Sequence, residues 1–144
     1  METLYFDVLQ FLYHFALVVL IGGALLLSSP LAPPSLLARY DGWAILAVIL
    51  IVVTSALKAG FEITGTLEAR LVARWAALAA LVVATLFASG WGRPVARSIR
   101  AQAAAFDDLP AGSPPRAEFA RLHAQARRAM QLALVPGLLA LFLS

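Results

Sequence analysis

The chain contains no cysteine among its 144 residues, which excludes several kinds of site at once. Without thiols it forms no disulfide, thiolate metal site, iron–sulfur cluster or cysteine nucleophile. Histidine is nearly as scarce, with only His14 and His123. The sequence also has no phosphate-cradling glycine loop, nucleophile elbow or HExxH zinc motif. We therefore expect a protein without catalysis of its own and without a metal site.

Charged residues make up only 13% of the chain, whereas 62% of its residues are hydrophobic. A soluble domain has about a quarter charged and close to half apolar residues. The composition therefore predicts an integral membrane protein, and the length is that of a single domain. The net charge of +3 does not indicate nucleic-acid binding, because the basic residues lie between apolar runs, where they orient a membrane protein.

Four apolar segments are long enough, or nearly so, to cross a bilayer as helices, which takes about 20 residues. None alternates with the period of two that membrane strands require. The predicted fold is an all-α, integral membrane four-helix bundle with a cytoplasmic helical hairpin between helices 3 and 4. The single transmembrane domain, 1–144, has predicted spans at residues 4–28, 41–59, 70–90 and 124–143, with the hairpin at 91–123.

Local signals refine the connections. The proline-rich segment 29–34 ends the first helix, because proline cannot continue the hydrogen-bond ladder. Residues 58–68 are predicted to form a short polar turn, and residues 93–106 an amphipathic helix. Ser113 and Pro114 are predicted as the cap and first position of the next helix. Pro136, followed by Gly137, is predicted to kink the last span.

Small residues predict where the helices approach one another closely. Gly22 and Gly23 provide such a site on the first span. The third span has a stripe with spacings of three and four residues: Ala73, Ala77, Ala80, Ala84 and Ala88.

Basic residues are distributed unevenly between the two sides of the predicted bundle. One side has eight, Arg39, Arg93, Arg97, Arg100, Arg116, Arg121, Arg127 and Arg128, and the other has three, Lys58, Arg70 and Arg74. Positively charged loops stay in the cytoplasm, so we predict an inner-membrane protein with both termini non-cytoplasmic. The predicted contacts with anionic headgroups or a partner protein are Arg93, Arg97, Arg100, Arg121, Arg127 and Arg128.

Asp7, Gln10 and His14 are spaced so that they share one face of the first helix. Ionisable groups inside membrane helices face the bundle or a wet cavity rather than lipid. Together with Arg74, from the same end of the bundle, they form a candidate buried polar site. Two interpretations are open for it. It is a site for a ligand, proton or ion, or His14 is a neutral side chain hydrogen-bonded to Gln10 or to a neighbouring helix.

Haem b is the cofactor that such a bundle could hold, because histidines inside four-helix bundles bind haem. The predicted topology places His14 ~21 Å from the inner end of its helix. His123 lies at or beyond that end, so the two histidines cannot bind one iron. The haem hypothesis therefore requires that His14 binds the iron without His123. Asp107 and Asp108 are predicted to be solvated turn residues rather than a metal pair.

Two segments, Ala88-Ser-Gly-Trp-Gly-Arg-Pro-Val-Ala-Arg97 and Glu118-Phe-Ala-Arg-Leu-His-Ala-Gln-Ala126, resemble the transmembrane protein 205-like family. Its third span ends in an aromatic residue and a proline, and a phenylalanine and a histidine precede the last span. The matching positions are Trp91, Pro94, Phe119, Leu122 and His123. The resemblance implies a four-helix membrane protein with its long loop inside the cell. It assigns no activity, because the bacterial members form a domain of unknown function.

Three functional hypotheses follow. In the first, the chain is a structural or accessory subunit that acts through contacts with lipid and with other membrane-protein subunits or further copies of itself. In the second, it is a small-solute or ion transporter, or a permeation subunit, with a polar outer vestibule. In the third, it is a haem-binding redox subunit that uses His14.

Overall fold

The computed structural model describes every residue from Met1 to Ser144, and it contains helices but no strand. Its long helices are α1 (Glu2–Leu27), α2 (Pro34–Glu62), α3 (Ala69–Thr85), α4 (Arg93–Gln102) and α5 (Pro114–Leu143). A π-helix, Leu86–Gly92, joins α3 to α4 without a break, and a short 3-10 helix covers Phe106–Asp108. The four continuous helices, with α3 to α4 taken as one, are long and apolar enough to cross a membrane. The all-α prediction with four such helices is confirmed.

The second helix is longer than its predicted span at both ends. It begins at Pro34, which occupies a position in the first turn where its missing N–H costs nothing. It continues to Glu62, so the prediction of a polar turn from residue 58 was wrong in its first half. Hydropathy does not register the polar last turn of a helix, and Lys58 and Glu62 are both helical.

The first helix of the hairpin is shorter than predicted, because α4 ends at Gln102 instead of continuing to Phe106. Ala105 then adopts a left-handed conformation with φ of 50°. Ser113 is the N-cap residue of α5 and Pro114 its first residue, as predicted, although the Ser113 hydroxyl makes no hydrogen bond. The helix α5 continues from Pro114 to Leu143 with Pro136 inside it.

The bundle centres on α5, which packs against α1, α3 and α4, while α2 packs mainly against α1. Gly23 allows the contact of α1 with α2, since a Cβ there would overlap the Tyr40 ring. The predicted alanine stripe of the third span is only partly inside: Ala77 and Ala88 are buried, whereas Ala73 and Ala80 are exposed. The hydrophobic core is formed by Tyr13, Ala16, Leu17, Leu20, Ala44, Ala47, Val48, Ile51, Ala77, Leu78, Leu81, Ala133 and Ala140.

One side of the bundle is open. The helices α2 and α3 touch little except where α2 meets the π-helix. Farther along, they leave between them an apolar groove of about 470 Å³, lined by residues such as Val52, Ser55, Trp75 and Ala79.

Candidate functional sites at the two ends of the bundle

Buried charged side chains form two clusters at opposite ends of the bundle. The hairpin-end cluster contains Asp41, Ser89, Arg93 and Arg97. The terminal-end cluster, near the two chain termini, contains Tyr13, Lys58, Glu62, Arg74 and Ser144. On α2, the interval between the two clusters corresponds to about 25 Å of helical rise, close to the ~30 Å hydrocarbon thickness of a bilayer.

The hairpin-end cluster is organised around Asp41, which is only 4% exposed. The Nε of Arg93 donates to the Asp41 Oδ1 at 2.8 Å, and its Nη2 lies 2.6 Å from the same oxygen. Arg97 donates through Nη1 to Oδ2 at 2.7 Å. Arg93 also donates to the Ser89 hydroxyl at 2.7 Å. Both carboxylate oxygens are therefore occupied, and they tie α2 to the continuous α3–α4 segment.

The chain brings Arg93 inside by two local features. Gly92 lies against α5, where a Cβ would stand 3.2 Å from that of Ala126, so the segment approaches α5 closely. Pro94 lacks an N–H, and its ring would clash with the carbonyl four residues earlier in a regular helix. The wider turn of the π-helix just before Pro94 gives room for that ring.

The sequence prediction does not single out Asp41, which is the first residue of the second predicted span. The available signal was the residue type, because an ionisable side chain in a membrane helix needs a partner in the bundle. The structure places Asp41 about two turns inside α2. The expectation that Arg93 contacts lipid or a partner was wrong, since Arg93 is 3% exposed and paired with Asp41.

The other predicted contact arginines differ in their surroundings. Arg97 reaches Asp41 but keeps 42% of its side chain exposed. Arg100 donates to the Asp107 carboxylate at 3.1 Å, so that aspartate is a partner as well as a turn residue. Arg121 pairs with Glu118 one turn earlier on α5. Two exposed or half-buried arginines, Arg127 and Arg128, form no ion pair.

The terminal-end cluster contains a lysine that is 1% exposed, Lys58. Its ammonium lies 4.3 Å from the centroid of the Tyr13 ring and 3.5 Å from a Glu62 oxygen. The other Glu62 oxygen accepts a hydrogen bond from Arg74. Two cations therefore share one carboxylate, and the aromatic face of Tyr13 offsets part of the surplus charge. The Tyr13 hydroxyl lies 3.0 Å from that of Ser144.

The four residues of the predicted polar site do not come together. Asp7 is exposed and makes no ion pair, and Arg74 binds Glu62 instead. His14 is half-buried, and its Nδ1 lies 2.9 Å from the Gln10 carbonyl, so this bond stays within α1. The inward position belongs to Tyr13, because the buried face of α1 follows the register of Leu9, Tyr13, Ala16, Leu17 and Leu20.

A polar cavity of about 440 Å³ opens beside the terminal-end cluster. The charged side chains Glu62, Glu68, Arg70 and Arg74 line it. The Nε of Arg74 is buried and has no hydrogen-bond partner. Arg70 donates from its Nε to the Leu143 carbonyl at 3.2 Å. Such a lining can bind a small polar or anionic solute.

The five positions of the family resemblance lie around the hairpin end. The Phe119 ring stacks on His123, with centroids 5.7 Å apart, and meets Phe106 edge-on. Leu122 is buried, Pro94 is half-buried, and Trp91 is exposed. The two histidines lie in different surroundings, since His14 contacts Tyr13 edge-on.

No protein-family model, curated protein or solved structure matches this chain.

Proposed function

We propose that this chain is a structural or accessory subunit of the inner membrane that has no catalysis of its own and acts through contacts with protein and lipid. The observation that carries the proposal is the use of the buried charges. In each cluster a carboxylate on α2 pairs with arginine from another helix, Asp41 with Arg93 and Arg97 and Glu62 with Arg74, as a tie between helices. The interior void bounded by Leu20, Tyr40, Leu81 and Met130 measures about 10 Å³, room for at most one water molecule.

The proposed orientation has the hairpin in the cytoplasm and both termini on the other side. The excess of arginine at the hairpin end supports it. The large apolar side chains exposed on the outer faces of the helices support the membrane location, since lipid covers such surfaces. They include Phe15, Val18, Leu46, Ile49, Val83, Leu132 and Val135.

Membership of the transmembrane protein 205-like family is part of the proposal. It is supported by the packing of α5 on the segment that carries Trp91 and Pro94, where Leu122 and Ala126 lie against Gly92.

The test is extraction of the full chain from its native membrane in polymer-bounded lipid discs, followed by mass measurement of the intact particles. A stoichiometric second protein, or a discrete oligomer of this chain, is the expected result. A monomer without any partner that also carries a specific solute into liposomes would overturn the proposal. An absorption spectrum of the same sample tests the haem alternative, which predicts a Soret band that is lost in His14→Ala.

The second candidate function is small-solute or ion permeation, and the polar cavity beside Arg74 favours it. The guanidinium groups of Arg70 and Arg74 in its lining are suited to an anionic solute. Liposome flux that falls at least about tenfold in Arg74→Gln and stays unchanged in Arg128→Gln is the result this candidate requires. Arg128 is the matched control, because it is exposed, unpaired and far along α5 from the cavity.

A further inference from the structure

We propose that the cavity beneath the hairpin is a binding site for a phosphate group, carried by a membrane phospholipid or by a soluble phosphate ester. The cavity has a volume of about 570 Å³ and lies between the start of α2, α4 and the first turns of α5. Its lining combines cationic and apolar side chains, chiefly Leu37, Arg93, Arg97, Arg100, Phe119 and His123.

The cavity has more positive than negative charge. Asp41 is the only carboxylate bound to Arg93 and Arg97, so one negative charge serves two guanidinium groups. Arg97 uses only Nη1 in that contact, which leaves its Nε and Nη2 free to donate. The fork formed by these two nitrogens matches the geometry of two phosphate oxygens.

Arg100 adds a third guanidinium to the lining. Its partner Asp107 is on the surface, with 76% of its side chain exposed, so the pair is screened by water and weak. A phosphate in the cavity would compete with Asp107 for the same donor. The amino-terminal end of α2 also lies at the cavity, where Pro34 is part of the lining, and its helix dipole adds to the positive potential.

His123 supplies an imidazole to the same space. Its ring is held parallel to Phe119, at an interplanar angle of 13°, and forms no hydrogen bond within the protein. An imidazole N–H is therefore available to an oxygen acceptor in the cavity. Leu37, Ala96 and Phe119 provide an apolar wall on which the carbon skeleton of the ligand can lie.

The phosphate site follows from the cavity alone, whereas a phospholipid source rests on the proposed membrane topology. In that topology the cavity lies at the cytoplasmic interface, the depth of lipid headgroups. A phospholipid would place its phosphate among the guanidinium groups and its glycerol against Leu37 and Phe119.

The experiment uses the purified full chain, stripped of lipid in detergent. One arm measures binding of phosphatidylglycerol, with uncharged diacylglycerol as its comparison, and the other measures binding of inorganic phosphate and glycerol 3-phosphate. Each arm compares the native chain with Arg97→Gln, Arg100→Gln and Arg128→Gln. Arg128→Gln removes the same charge outside the cavity. Arg100→Gln leaves the contacts of Asp41 intact, so the test stands even if Arg97→Gln unfolds.

We expect the affinity for a phosphate-bearing probe to fall about tenfold or more in Arg100→Gln and less than about twofold in Arg128→Gln. If only phosphatidylglycerol behaves this way, the ligand is a lipid headgroup. If the soluble phosphates do so without lipid, the ligand is a soluble ester. Equal losses of affinity in Arg100→Gln and Arg128→Gln, or no binding of any probe, would overturn the proposal. Neither result depends on which side of the membrane the hairpin faces, so a failed topology is recognised separately.

Discussion

Asp41 is the residue on which the hairpin end depends most. It is buried and accepts from two guanidinium groups, so its loss leaves Arg93 charged without compensation. Breaking a buried ion pair from one side costs about 3–5 kcal/mol. We expect Asp41→Asn to lower the free energy of unfolding by that amount, measured by denaturant titration in mild detergent.

The matched control for this change is Asp108→Asn, which removes the same charge from an exposed position without an ion pair. It should change stability by less than about 0.5 kcal/mol. Equal effects of the two substitutions would mean that Asp41 contributes nothing as a tie between α2 and α4.

The terminal end predicts an asymmetry between two substitutions on one helix turn. Glu62→Gln leaves both Lys58 and Arg74 without their shared carboxylate, at a cost of about 3–5 kcal/mol. Lys58→Met keeps the pair of Glu62 and Arg74 and preserves most of the side-chain volume, so it should cost less than about 1.5 kcal/mol. Thermal unfolding of the two variants under one set of conditions measures the difference. A larger loss for Lys58→Met would contradict the shared-carboxylate arrangement.

Two adjacent glycines on α1 differ sharply in the space around them. A Cβ on Gly23 would overlap the Tyr40 ring, whose hydroxyl donates to the Leu20 carbonyl at 3.2 Å. A Cβ on Gly22 would meet no atom within 4 Å. We expect Gly23→Ala to cost about 1–3 kcal/mol of stability and Gly22→Ala to cost none. The same unfolding measurement on both variants decides this, and equal stabilities would place the contact of α1 with α2 elsewhere.

The sequence predicted the charged residues but not their pairing. The sequence predicts one role for all six arginines, contact with anionic headgroups or a partner protein, because a basic helix face is typical of a membrane surface. Which of them is buried depends on a partner distant along the chain, and Arg93 and Asp41 are 52 residues apart. Similarly, the spacing of Asp7, Gln10 and His14 defines a face of α1, but Tyr13 is the side chain that packs inward.

At the scale of the element, the π-helix sets the orientation of α4. A single π turn holds about one residue more than an α turn of the same rise. Deleting Gly90, which is exposed, should therefore let residues 86–92 relax into an α-helix while Arg93 stays near Asp41. Inserting one alanine after Gly90 should rotate α4 by about 100° and separate the pair.

The measurement is the unfolding free energy of the two length variants in detergent. The insertion should lose about as much stability as Asp41→Asn, because it breaks the same ion pair. The deletion in the native chain should also lose about 3 kcal/mol, because the Pro94 ring then meets the carbonyl four residues earlier in a regular helix. Combined with Pro94→Ala, the deletion should lose clearly less than the insertion does. If the deletion is as damaging with Pro94→Ala as without it, the extra residue is required for packing against α5 rather than for accommodating Pro94.

The elements themselves were largely predictable. Apolar runs of membrane length and the proline-rich segment at 29–34 predicted the helices and the end of α1. The failures lie where α2 continues beyond its apolar run, at Lys58 to Glu62, and where a π-helix at residues 86–92 joins the third span to the hairpin. At Lys58 to Glu62 the backbone hydrogen bonds continue although the hydropathy falls, because the side chains find partners on α1 and α3.

At the scale of the whole molecule, the orientation can be mapped without background, because the chain has no cysteine. We expect Thr64→Cys, in the loop after α2, to react with a membrane-impermeant maleimide on intact cells. Ala111→Cys, in the hairpin turn, should react only after the membrane is broken. The reverse pattern would place the hairpin outside, and labelling of both sites in intact cells would indicate two orientations.

The separation of the two charged clusters by an apolar interior has a consequence for how this chain changes through evolution. Leucine, isoleucine and valine of similar volume exchange in a packed interior at small cost, so the middle of each span is free to drift. The buried charges are not free, since each one depends on a partner in another helix. Descendants of one ancestor could therefore lose nearly all their similarity along the spans while retaining the spacing of Asp41, Lys58, Glu62, Arg74 and Arg93. Homology among such proteins would then be recognisable from those few charged positions rather than from overall identity.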